Sequence, residues 1–220
     1  MSSITVIITA GGIGKRMKST LPKQFLLINE KPVLMHTIEQ FYKFDPSSQL
    51  IVTLPEDWLD YWEALCVELN FSIQHRVVSG GKERYHSIKN ALRYSQHDLI
   101  AVHDGVRPLV SNEVLERVFS EAKKAAAVIP VIPVNESMRH VKEGKSSVVD
   151  RDQFVIVQTP QVFKQEVLRA AYEQEFHEGV TDDAGLVEAS GVEIELVEGN
   201  TENIKITNQS DLKYAEMFLK

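Results

Sequence analysis

The residues best suited to chemistry lie in a glycine-rich run that closes the first apolar segment and leads straight into basic side chains. Ile4–Ala10 is followed by Gly11, Gly12, Ile13, Gly14, Lys15, Arg16 and Met17, then by Leu21-Pro22-Lys23-Gln24-Phe25. Glycine carries no Cβ, so such a backbone can approach a ligand closely and adopt positive φ. Its N–H groups suit phosphate oxygens, and Arg16 and Lys23 add positive charge beside them. The chemistry implied is nucleotide binding through phosphates. Spacing removes two common loops. A P-loop needs Ser or Thr after Gly-Lys, where this chain has Arg16. The dinucleotide fingerprint needs a third glycine where this chain has Met17. The alternative to a ligand is a tight turn with solvated basic residues. Arg16 and Lys23 weigh against it, because like charges on one loop repel unless an anion is present.

In an open parallel sheet, ligands gather beyond the carboxyl ends of the strands. The other strand ends read from the pattern also carry polar groups. They are Gly80-Gly81-Lys82-Glu83-Arg84 with Ser87 one turn on, His103-Asp104-Gly105-Val106-Arg107-Pro108, Thr159-Pro160-Gln161, Thr181-Asp182-Asp183, and Asn203-Ile204-Lys205-Ile206-Thr207. Asp104 can cap a turn, or can face Mg²⁺ or a ribose hydroxyl. Arg84 and Arg107 read as loop clamps, paired with acids such as Glu83 or Asp183. Lys205 sits in an Ile-Lys-Ile triplet, and strand alternation would aim its ammonium opposite the two isoleucines; a solvated strand face is the alternative. His103, ending a buried strand, reads as a structural residue. No Cys/His cluster has zinc spacing, and no Gly-x-Ser-x-Gly elbow occurs.

The elements that must position these residues alternate. Strands are expected at Ile4–Thr9, Leu50–Leu54, Ile73–Val78, Leu99–Val102 and Ala127–Val134. Helices are expected at Val33–Phe44, Glu56–Leu69, Glu83–Tyr94 and from an N-cap at Asn112 to about Lys124. Such alternation implies an α/β fold: a Rossmann-like, mostly parallel twisted sheet with helices on both faces. Ser137–Gln158 breaks the rhythm with alternating valines and a Glu143-Gly144-Lys145 turn, which reads as an inserted β-hairpin arm. A hairpin has little core of its own, so its apolar residues call for a second subunit and a homodimer through the arm. Beyond it come helical patterns at Lys164–Phe176 and Asp183–Ser190 and strands at Val192–Val197 and Ile204–Ile206. The last helix runs from Ser210, a possible N-cap lacking a capping-box acid.

The 220 residues carry a formal net charge of -7 and 43% apolar side chains, which suits a soluble globular chain. An acidic chain without a dense basic tract argues against duplex nucleic acid and for a small anionic ligand held by local cations. No run suits a bilayer span and no signal-peptide pattern opens the chain, so a cytoplasmic protein with no membrane partner is expected. Its single cysteine, Cys66, sits in a helical pattern as core filling and suits a reducing compartment.

Together, the quoted segments resemble the sugar-phosphate nucleotidylyltransferases, and their order and spacing resemble the 2-C-methyl-D-erythritol 4-phosphate cytidylyltransferase family over nearly the whole chain. The resemblance implies a single nucleotidylyltransferase domain over residues 1–220, with 137–158 as a protruding dimerisation arm. It implies that methylerythritol phosphate attacks the α-phosphorus of CTP and that Mg²⁺ arrives with CTP. By the same resemblance, Arg16 and Lys23 stabilise charge on the transferring phosphate, and Arg16, Lys23, Arg151 and Lys205 form the catalytic group. Ala10, Gly11, Gly12, Gly14, Gly81, Lys82, Ser87 and Asp104 would bind the nucleotide, with Asp104 by the metal. Asp104, Arg107, Ser137, Thr181 and Lys205 would hold the polyol phosphate, joined by Arg151 from the partner's arm. Ser137 stands where threonine is common, and Gly105 where alanine is, a change expected to be sterically mild. The ribitol-5-phosphate cytidylyltransferases share these motifs and are the alternative. A nucleotide-binding module without catalysis is a second.

Overall fold

Branched side chains make β1 (Ile4–Thr9) a two-faced strand: Val6 and Ile8 point into one core and Ile7 into the other. The structure is a computed structural model and describes residues 4–12, 21–176, 179 and 181–219. After β1 come a minimal hairpin, β2 (Leu27–Ile28) and β3 (Lys31–Pro32), and then α1 (Val33–Phe44), β4 (Gln49–Leu54), α2 (Leu59–Glu68) and β5 (Arg76–Ser79). The middle of the chain gives α3 (Arg84–Leu92), β6 (Leu99–Asp104), α4 (Asn112–Glu121) and β7 (Ala127–Pro133). The arm contributes β8 (Arg139–Lys142) and β9 (Lys145–Val148). The chain ends with β10 (Val155–Val157), β11 (Gln161–Lys164), α5 (Gln165–Ala171), α6 (Asp183–Glu188), β12 (Glu195–Glu198) and α7 (Gln209–Glu216).

The main sheet runs β5-β4-β1-β6-β11-β7, and β5, β4, β1 and β6 are mutually parallel. From β1 the chain moves outward through β4 to β5, then returns to the opposite side of β1 as β6. That reversal places a topological switch point between β1 and β6, where a crevice opens above their carboxyl ends. The register sets Thr9 beside both Asp104 and Thr53, so the strand ends are level. Helices cover both faces: α1, α2 and α4 supply Ile38, Trp62 and Val118 to one core, while α3, α5 and α6 supply Ile88, Leu168 and Val187 to the other. Fold class and layer arrangement are those expected.

Several expectations need correction. The Ile73–Val78 strand begins only at Arg76, because His75 is turned inward: Trp62 Nε1 donates to its Nε2, and its Nδ1 lies 2.7 Å from the Ile73 carbonyl. The cap of α4 is Ser111, whose side chain accepts from Val114 N, with Asn112 already helical. The last helix is capped by Asn208, and Asp211 at N3 completes a capping box that a start at Ser210 hides. Residues 204–206 are not a strand; Ile206 N bonds to the Val106 carbonyl, outside any ladder. Strand β11, antiparallel to β6 and β7, was not expected at all. The hairpin itself is only 139–148, with positive φ at Glu143 and Gly144, as a tight hairpin turn requires. Its return segment joins the main sheet instead, β10 pairing with β7. Val131 faces both Val157 and Glu198, so β10 and β12 take opposite edges of β7.

Candidate active site

A cavity of about 400 Å³ opens at the switch point, lined from β1 by Thr9, Ala10, Gly11 and Gly12 and from the β6 end by Asp104 and Val106. Lys23, Gln24, Gly81, Lys82, Glu83, Arg84, Ser87 and Lys205 complete the wall. One side is shaped backbone. Gln24, wholly buried in a short 3₁₀ turn, donates to the Ala10 carbonyl at 2.7 Å and so fixes the exit of β1. Ser87 Oγ accepts from Gly81 N at 3.0 Å and donates to the Glu83 carbonyl at 3.2 Å, which folds the loop before α3 over its own first turn. Gly81 is required there: a Cβ would sit 2.3 Å from His86 Cβ and 3.1 Å from its carbonyl carbon.

The opposite side is charge. Asp104 is buried, yet Lys205 Nζ lies 3.1 Å and Arg107 Nε 3.0 Å from Oδ2, with Arg84 Nε 4.0 Å from Oδ1. Burial pushes its carboxyl up, but Lys205, Arg84 and Arg107 outweigh that and hold it well below the usual carboxylate range. Asp104 therefore stays ionised. Arg84 also bonds Asp183 Oδ2 at 2.6 Å, and Tyr172 donates to the other oxygen of that fully buried carboxylate. Burial opposes the Arg84 charge, but Asp183 and then Asp104 hold it firmly protonated. Arg107 Nη1 donates to the Asn203 carbonyl at 2.7 Å. Lys23 Nζ donates to the Ile206 carbonyl at 3.1 Å, which ties it to the segment carrying Lys205.

The structure thus gathers Ala10, Gly11, Gly12, Lys23, Gly81, Lys82, Ser87, Asp104 and Lys205 around one space. Gly14 and Arg16, with Lys15 and Met17, lie outside the described residues. Arg107 backs Asp104 and is no part of the cavity wall, and Arg84 pairs with Asp183 as one of the two acids considered. Ser137, Arg151 and Thr181 are exposed and are not in the wall; Arg151 Nη1 donates to the Asn135 carbonyl within its own arm. His103 is structural as expected, between Thr159 and the Arg107 carbonyl. Thr9 was missed, and Gln24 and Glu83 stood in their motifs without a place in the wall; a lone glutamine beside Lys23 was the available signal for the first-strand clamp. A Cβ at Gly105 would meet Ala10 Cβ, Leu34 Cδ1 and the Thr9 oxygen at 3.0–3.1 Å, so the difference from alanine is not mild in this packing. Among the described residues no group of three or more His, Cys, Asp and Glu could cage a metal.

Comparison with known proteins agrees with this geometry. A family profile described as 2-C-methyl-D-erythritol 4-phosphate cytidylyltransferase matches residues 4–220. The protein of that description from Bacteroides fragilis is 52% identical over 98% of this chain and 99% of its own. One from Bacillus cereus is 39% identical, covering 98% and 97%. Among solved structures, the Thermus thermophilus 2-C-methyl-D-erythritol 4-phosphate cytidylyltransferase aligns with a TM-score of 0.79 at 31% identity, covering 99% of this chain and 98% of its own.

Proposed function

The chain belongs to the 2-C-methyl-D-erythritol 4-phosphate cytidylyltransferase family, and on that premise we propose a division of labour among its residues. The enzyme is a nucleotidyltransferase that joins CTP and 2-C-methyl-D-erythritol 4-phosphate into 4-diphosphocytidyl-2-C-methyl-D-erythritol and pyrophosphate, for isoprenoid biosynthesis. A phosphate oxygen of the acceptor attacks the α-phosphorus, and the bond to the β-phosphate breaks with its electron pair leaving on pyrophosphate. Transfer of this kind is mainly positioning and charge neutralisation, so it needs fixed cations more than a nucleophilic side chain. The observation that carries the reading is the crevice itself: shaped backbone from β1 and α3 on one side, and Lys205 drawn onto an ionised Asp104 on the other. Shared family names on the profile and the Bacteroides relatives set the ribitol-phosphate and non-catalytic readings aside.

The nucleotide side comprises Ala10, Gly11, Gly12, Gly14, Gly81, Lys82 and Ser87, with Ser87 acting through the loop it folds. Lys23 and Arg16 neutralise charge on the α-phosphate and the departing pyrophosphate. Lys205, Thr181, Ser137 and Asp104 receive the acceptor, and Arg107 holds Asp104 from behind. A divalent cation, Mg²⁺ by preference, fits as a companion of the triphosphate: Asp104 is ionised, lies in the wall, and has its Oδ1 no nearer than 4.0 Å to Arg84 Nε. Bound there, it would neutralise phosphate charge. Residues 1–220 act as one domain, and the arm of 137–158 pairs two subunits and lends Arg151 to the neighbour. No helix among the described residues is long and apolar enough to cross a membrane, and a cytoplasmic setting suits these water-soluble substrates. Pyrophosphate release from CTP, measured with methylerythritol phosphate, ribitol 5-phosphate and neither, tests the reading. Release should require the first; equal release with ribitol 5-phosphate would overturn the acceptor assignment.

A further inference from the structure

His103 is the penultimate residue of β6, its ring wholly buried, so it touches no substrate, yet both ring nitrogens are committed. Nε2 lies 3.0 Å from the Arg107 carbonyl, which can only accept, so Nε2 carries the proton. Nδ1 is therefore an acceptor, and the Thr159 hydroxyl at 3.0 Å donates to it. That hydroxyl accepts in turn from Asp104 N at 3.2 Å. Arg107 closes the circuit, its Nε donating to Asp104 Oδ2 at 3.0 Å and its backbone N–H to the Asp104 carbonyl at 3.0 Å. A second loop shares the same corners: Arg107 Nη1 reaches the Asn203 carbonyl, and Asn203 Nδ2 returns to the Thr159 carbonyl at 2.8 Å. Lys205, just beyond Asn203, ends on the same Asp104 oxygen. Phe41 of α1 meets the imidazole edge-to-face at 4.8 Å and blocks other orientations.

We infer that His103 is a positioning residue for the reaction: its closed circuit through Thr159 and Arg107 fixes Asp104, and with it Lys205, in the arrangement that receives the acceptor phosphate. A histidine kept for packing alone would not need each nitrogen tied to a group that leads back to one carboxylate. The inference rests on the acceptor-side reading of Asp104 and Lys205 given above. The nucleotide side is held by different contacts, Gln24 on Ala10 and Ser87 on Gly81. Loss of His103 should therefore fall chiefly on the acceptor, with CTP affected only through the cation beside Asp104.

The test compares full-length His103→Leu, His103→Gln, Thr159→Val and Thr159→Ser, each assayed well below its own unfolding midpoint. Pyrophosphate release is followed with CTP and methylerythritol phosphate varied in turn. Gln keeps an N–H for the Arg107 carbonyl and drops the Thr159 link; Ser keeps that link. Small displacements of a reacting group cost up to about 10²-fold, so the acceptor KM should rise about 10- to 100-fold in His103→Leu and Thr159→Val, with the CTP KM, measured at saturating Mg²⁺, within about twofold. Thr159→Ser should behave as wild type. Because His103→Gln and Thr159→Val break the same link, their double variant should be no worse than the poorer single. A lowered Tm with both KM values unchanged, or equal rises in both, would overturn the role and leave the function intact. Wild-type protein inert with the acceptor would instead defeat the acceptor reading and this role together. Should His103→Leu not fold, His103→Gln and Thr159→Val decide the matter.

Discussion

Asp104 concentrates the site's electrostatics in one side chain: a buried carboxylate kept ionised by Lys205, Arg84 and Arg107, which leaves the surrounding cations in excess for a phosphate-bearing ligand. Lys23 lines the same cavity and is tied to this group through the 203–206 segment, its Nζ donating to the Ile206 carbonyl. If its charge acts mainly on the transition state, Lys23→Ala should lower kcat by about 10²–10³ while CTP affinity falls less, since removing one preorganised donor costs roughly 2.7–4 kcal/mol. Single-turnover rates set beside equilibrium CTP binding decide it; equal losses in both would mean that Lys23 only holds the ground-state triphosphate. His103 supplies a second prediction. Burial pushes its imidazolium down to about 4, against the opposing pull of the Arg107 carbonyl and Asp104. The ordinary value is 6.5, so the unfolded chain takes up a proton where the folded chain does not. Stability tied to neutral His103 is thus complete above about pH 6.5 and lost as pH falls toward 4, a difference of about 3 kcal/mol. Urea unfolding of wild type and His103→Gln between pH 7 and 4 should show wild type losing that much more. Parallel curves would remove the claim, since His36 and His75, also lowered mainly by burial, are common to both proteins.

At the level of elements, strand ends hold the site, and their tolerance is set by what packs behind them. Gly105 follows Asp104, with Ala10, Leu34 and the Thr9 carbonyl around it and its own carbonyl accepting from Thr37. Gly105→Ala should cost about 1–3 kcal/mol through overpacking, seen as a lower denaturation midpoint at unchanged slope. Unaltered stability would show that Leu34 yields freely. This crowding could not be read from the sequence, because it depends on which strands are neighbours. What could be read was periodicity. β1, β4, β6 and α1 were legible because each is long and its apolar pattern unbroken. β11 was not: four residues follow Pro160 and run directly into α5, leaving too short a window for a period of two. Residues 73–75 look like strand, but tertiary contacts with Trp62 claim them first. For the site, residue types at strand ends picked out groups that the structure brings to one crevice, Lys205 included, although its segment is held by the bond from Ile206 N to Val106 and by side-chain bonds of Arg107, Asn203 and Lys23, not by a ladder. The sequence left open which acid Arg84 would meet, since Asp183 reaches it only through the packing of α6 on the sheet.

For the molecule as a whole, the arm is the unbalanced feature. Val141 and Val148 of the hairpin are 68% and 77% exposed, and Phe154, Val155, Ile156 and Val157 continue the apolar surface toward the sheet. Apolar side chains exposed in this number on one segment are costly in water and suit an association surface. Arg151 lies at the root of the arm, exposed, its guanidinium tethered to the Asn135 carbonyl and outside the cavity of its own subunit. Both features suit an isologous pair in which each arm crosses the two-fold axis, buries its valines and delivers Arg151 to the neighbour's acceptor phosphate. Every active site would then draw on two chains. Complementation tests this directly. Arg151→Ala and Lys23→Ala proteins, each nearly inactive alone, are mixed and allowed to exchange subunits. Random exchange makes half the dimers mixed. In a mixed dimer one site carries both lesions and the other neither, so roughly a quarter of wild-type activity should return by this symmetry. Activity that stays at the level of the parents, with exchange verified by mass, would place Arg151 in its own subunit's service and leave the arm a purely structural element.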